Sequence, residues 1–179
     1  MSRTEGLMMG IILGLIVGVI LVVILLKFAN KDKKVKSEYD ERQKEIKNKG
    51  YVVGFYSMVA LLGIESLWSI TGREFPLPDF AVFFATLIFG LTVMCGYAIW
   101  NGVYWGMNND KKRYGIIFAI AIVLNIIPIV HGAASGNLLS RDPFESLALF
   151  NVIVVIMMAV ILIELLIRWI VDKCAGEEE

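Results

Sequence analysis

From Leu7 to Leu26 the chain carries no charged side chain, and a run of about 20 such residues is the length that crosses bilayer hydrocarbon as a helix. Backbone N–H and C=O groups find no water at that depth, so only helices and closed barrels can span it. Similar blocks recur along the chain and bring the hydrophobic share to 58% and the mean hydropathy to +0.71, above the roughly half apolar content of soluble domains. The expected fold class is all-α: a polytopic transmembrane helical bundle of about five spans, 6–29, 51–70, 80–106, 115–131 and 144–171, making one membrane domain. The first block is too long for a signal-peptide core and lacks a small-residue cleavage site, so it is read as a mature span.

Between the first two blocks lies the one strongly charged stretch, Lys31 to Lys49. Short Lys/Arg-rich loops are retained in the cytoplasm. With that stretch inside, all of the 17 Lys and Arg residues except Arg3, Arg73 and Arg141 fall on the inner side or at inner helix ends. This predicts an external amino terminus and a cytoplasmic carboxyl terminus. Glu38, Asp40 and Glu45 each stand four residues before a base (Arg42, Lys44, Lys49), the favourable order on a helix, at about 0.2–0.5 kcal/mol per pair. The expectation is a charged juxtamembrane helix over 31–49 that runs into the second span, with Gly50 as a bend. Its bases, Lys33, Lys34, Lys36, Arg42 and Lys44 among them, would meet either anionic lipid head groups or a cytoplasmic protein. Charges that alternate in sign without interleaved aromatics argue against nucleic acid.

The string Tyr39-Asp40-Glu41-Arg42-Gln43, set before a span that opens Gly50-Tyr51-Val52-Val53-Gly54-Phe55, resembles a recurrent feature of small uncharacterised multi-span membrane proteins of Gram-positive bacteria. The resemblance covers about 20 residues. It implies a multi-pass protein of a bacterial plasma membrane and carries no activity with it.

Gly6, Gly10, Gly14 and Gly18 recur every fourth residue in the first span, so they form one bare ridge that lets another helix approach closely. The ridge would pack either against another chain, in a homo-oligomer or with a membrane partner, or against the later spans. Ala98, Gly102 and Gly106 repeat the spacing near the end of the third span, where Trp100, Tyr104 and Trp105 suit the head-group region. Pro128 should kink the fourth span, and Asp142-Pro143 should cap the fifth.

Polar side chains inside spans are costly and mark sites by default. Glu65, Asn125, His131 and Asn151 are the candidates, with Glu65 and His131 able in principle to form a proton-linked pair or to bind a small cation. The competing reading is interfacial snorkelling or a structural interhelical bond. Glu164 and Arg168 read as an intrahelical ion pair. Two isolated cysteines, Cys95 and Cys174, give no disulfide framework. No nucleophile elbow, paired-histidine metal motif, phosphate loop or Cys-x-x-Cys occurs, so no catalytic, cofactor or metal residue is expected. The reading is a non-enzymatic accessory or regulatory membrane protein, with a small ion- or proton-coupled transporter or channel as the alternative.

Overall fold

The computed structural model describes residues 3–72, 75–140 and 146–176, so the expected Asp142-Pro143 cap lies outside the described residues. Within them the fold is all-helical: α1 Arg3–Ala29, α2 Glu41–Ile70, α3 Asp79–Trp100, α4 Lys111–Ala134 and α5 Leu147–Gly176. All five are long and apolar enough to cross a membrane. The chain divides into two units, one of residues 1–39 with 105–117 and one of residues 40–104 with 118–179.

In the first unit α1 ends at Ala29, and the chain beyond it departs from expectation. Residues 31–40 are not helical; the helix expected over 31–49 begins only at Glu41. The local chemistry explains the boundary. Asp40 is an N-cap: its carboxylate accepts from Gln43 N–H (2.6 Å), and Gln43 Oε1 accepts from Asp40 N–H (3.2 Å), a reciprocal capping box that starts a helix there. Asp40 is thereby removed from its expected pairing with Lys44, which turns to Glu41 (2.7 Å). Glu38 lies before the cap and pairs with Lys34 instead of Arg42. Only the Glu45–Lys49 pair forms as the spacing suggests, at 2.8 Å.

In the second unit α3 packs between α2 and α5. The α2–α3 seam is a glycine contact: a Cβ on Gly54 would stand 2.7 Å from the Gly90 carbonyl oxygen, and one on Gly90 would stand 3.0 Å from Met58 Cβ. Gly50 is not a bend. It lies inside continuous α2, buried against the Tyr97 ring. On the other side of α3, Phe80 and Phe84 stack on Phe150 of α5 (centroids 5.2 and 4.8 Å), and Ile161 and Ile99 are fully enclosed. The third span stops at Trp100, short of the expected Gly106. Asn101 caps it through Tyr97 O (2.7 Å), and Gly102 takes φ +71° while its N–H reaches Ile99 O, a left-handed stop open to glycine at little cost. The four-residue spacing of Ala98, Gly102 and Gly106 therefore crosses a helix end.

α4 runs longer than expected at both ends. Asp110 Oδ1 caps its start by accepting from Lys112 and Arg113 N–H (3.0 and 3.3 Å), and Pro128 is accommodated inside it. Near its other end Gly132 meets α5, where a Cβ would come within 2.6 Å of Ala148 Cβ.

Candidate functional site

Two places concentrate polar groups out of water. In the first unit, the charged segment after α1 is stapled to the loop 105–110 by three buried asparagines, Asn30, Asn108 and Asn109. Asn109 Nδ2 donates to Asn30 Oδ1 (2.6 Å) and Ser37 Oγ (2.9 Å), and its Oδ1 accepts from Gly106 N–H (2.5 Å). Asn108 Oδ1 accepts from Glu38 N–H (2.8 Å), while its amide donates to Lys36 O and both Asp32 oxygens (3.1 Å each). Asn30 Nδ2 closes the turn on Lys34 O (2.7 Å), and the Tyr114 hydroxyl donates to Asn30 Oδ1 (3.2 Å). Backbone bonds flank the asparagines: Lys31 N–H to Asn108 O, Met107 N–H to Glu38 O and Asp110 N–H to Ala29 O. Gly106 is required here, since a Cβ would lie 2.9 Å from Glu38 O.

The staple leaves Lys33, Lys34, Lys36, Arg42 and Lys44 at least partly exposed. Lys34 pairs with Glu38 (2.7 Å) and Asp32 (3.5 Å), whereas Lys33, Lys36 and Arg42 have no ion pair among the described residues. Burial opposes charge on Asp32, but hydrogen bonds from Lys34 N–H and the Asn108 amide and the nearby Lys34 ammonium outweigh it and hold the carboxyl below 3.8. The Glu38 carboxylate, through hydrogen bond and charge, raises Lys34.

The second place is Glu65, near the Ile70 end of α2. The Thr86 hydroxyl of α3 and Glu65 Oε1 are hydrogen-bonded, and Thr86 Oγ1 is also within 3.1 Å of Val82 O. Thr86 has one proton, so two patterns fit: a charged Glu65 accepts it, or a protonated Glu65 donates to Thr86, which passes its own proton to Val82 O. Glu65 Oε2 is buried without a partner among the described residues. Asn125 and Asn151, two of the other expected polar residues, bond elsewhere. Asn125 donates to Ala121 O (2.8 Å) and Asn151 to Leu147 O (3.2 Å), each on its own helix. His131 lies in the last turn of α4.

Glu164 departs from its expected pairing. Arg168 pairs with Asp172 (Nη2–Oδ1 3.0 Å), and the Glu164 carboxylate packs instead on α3, where a Cβ on Gly96 would stand 2.9 Å from both oxygens. Its Oε2 also lacks a partner among the described residues. Four-residue spacing favoured the wrong pair because Arg168 had two acids within reach, and only packing decided between them.

No group of three metal-ligating side chains occurs among the described residues. Around the α1 ridge, no atom of the described residues lies within 4 Å of a Cβ built on Gly10, Gly14 or Gly18, the helix's own neighbouring backbone aside. No protein family, curated protein or solved structure matches the chain.

Proposed function

We propose that the chain is a non-enzymatic accessory or regulatory protein of a bacterial plasma membrane, crossing it five times with the amino terminus outside and offering the stapled segment 31–40 to a cytoplasmic partner. The staple carries this reading. The three asparagines hold the segment in one course, and a recognition surface ordered in advance avoids the entropy of ordering on binding. Lys33 and Lys36 supply its positive charge, with no ion pair among the described residues. The glycine ridge of α1 gives a second contact, inside the bilayer, for another copy or another membrane protein.

Reversing Lys33 and Lys36 to Glu should remove the co-isolating partner when the protein is purified in mild detergent and its complexes are identified by mass spectrometry. An unchanged partner set overturns the proposal. A cysteine at Lys36 should be labelled only from the cytoplasmic side and one at Gly136 only from outside; the reverse pattern overturns the orientation.

One observation favours a second reading, a small ion- or proton-coupled carrier: the Glu65–Thr86 bond offers two proton arrangements within a span. Proteoliposome flux that survives Glu65→Gln unchanged would remove it.

A further inference from the structure

We propose that the second unit binds a lipophilic onium cation, with the cationic centre beside Glu65 and its apolar groups in the groove formed by α2, α3 and α5. This inference is independent of the partner-binding role of segment 31–40. Two cavities of about 500 and 510 Å³ adjoin, and both are lined by Glu65, Phe75 and Val82. The first is the more polar of the two.

The first cavity adds Ser66, Ser69 and Asp79 to Glu65. It has two carboxylates and two hydroxyls, and no cationic side chain among its described lining residues. The Ser66 hydroxyl proton is spent on Leu62 O (2.8 Å), so its oxygen keeps lone pairs free to accept. Phe75 and Phe83 add aromatic faces, which attract a positive centre with diffuse charge. The second cavity is walled by Leu61, Ile88, Ile153, Met157 and their apolar neighbours. Its polar side chains besides Glu65 are Thr86 and Thr92, whose hydroxyls are engaged with Glu65 or Val82 O and with Ile88 O.

The two acidic residues that line the first cavity, Glu65 and Asp79, set the sign of the ligand. A carboxylate withdrawn from water is costly unless a positive charge or a proton accompanies it, and the Thr86 hydroxyl serves only one of its oxygens. A cation in the first cavity is attracted through space by both acidic residues without touching the buried Glu65 Oε2; an anion there would be repelled by them. The apolar second cavity then selects for a cation bearing a tail or rings, and its size falls within the roughly 300–1,000 Å³ of small-molecule sites.

The test uses the full chain in dodecyl maltoside, with radiolabelled tetraphenylphosphonium as probe and neutral triphenylphosphine oxide as competitor. Saturable binding is expected, weakened about tenfold or more by Glu65→Gln, the scale of losing one charge–charge attraction in a site partly removed from water. Val160→Trp, which fills the groove, should weaken it similarly. The oxide should compete poorly. Wild-type affinity in Glu65→Gln, or oxide competing as well as the cation, overturns the proposal, and the second comparison needs no mutant.

Discussion

Gly54 and Gly90 meet backbone to backbone, so that a Cβ on Gly54 would lie 2.7 Å from the Gly90 carbonyl oxygen. A carbonyl cannot swing aside as a side chain can. Gly54→Ala must push α2 from α3 and should cost about 1–3 kcal/mol, the usual scale of overpacking. Thermal unfolding in detergent measures it, and an unchanged midpoint would show that the seam is looser than these distances.

The α1 ridge calls for the opposite behaviour. No described atom from outside the helix lies within 4 Å of a Cβ built on Gly10 or Gly14, so the Gly10→Leu/Gly14→Leu double variant should keep the wild-type helicity. If the ridge receives another chain, its mass in mild detergent falls. Light scattering that reports the wild-type mass would remove the ridge as a contact.

Asn109→Ala deletes the donor to Asn30 and Ser37 and the acceptor of Gly106 N–H. Leaving buried polar groups unsatisfied costs on the order of 1–3 kcal/mol. The loss should be local: amide exchange in 31–40 accelerates while α3 and α5 keep their protection. Unchanged exchange would mean that the backbone bonds alone hold the segment.

The staple should also loosen in acid. The Asp32 carboxyl is held below its ordinary 3.8, so its contribution is present above that value and disappears as pH falls through the lower folded value. Lys34, raised above 10.5, contributes fully below that value and loses its contribution only as pH rises through the higher folded one. A spin label at Val35 should therefore stay immobile from mildly acidic to mildly alkaline pH and gain motion in strong acid. Asp32→Asn should abolish the acid step; a step that persists assigns it to another group.

Hydrophobic block length was enough to read five helices long and apolar enough to cross a membrane, because bilayer thickness sets the length such a block needs. Helix ends were harder. Charges at Glu38, Asp40 and Arg42 share the helical period with those beyond them, and only the Asp40–Gln43 capping box, a signal present in the string itself, shows where the coil stops. The close-packing rule for glycines holds at Gly54 and Gly90, yet that pair is separated in sequence and shows no repeat, whereas Gly10, Gly14 and Gly18 of the regular α1 ridge have no described atom from outside the helix within 4 Å of a built Cβ. The asparagine staple had no local signature at all. Asn30 and Asn109 each look like ordinary turn residues until the fold brings them together. Glu65 was legible as an acid inside an apolar helix, but its partner Thr86 was not, because a threonine in a helix bonds its own helix by default.

Asn30 and Asn109 are 79 residues apart in sequence, and that separation has a meaning in time as well as in space. At about 5–20 residues per second, the ribosome needs roughly 4–16 s after making Asn30 before Asn109 exists. Through that interval the nascent chain must carry its first apolar helix and its string of lysines without the loop that will hold them. For those seconds nothing from residues 105–110 can hold residues 31–40 in their folded course, so the tie is among the later contacts the nascent chain can make.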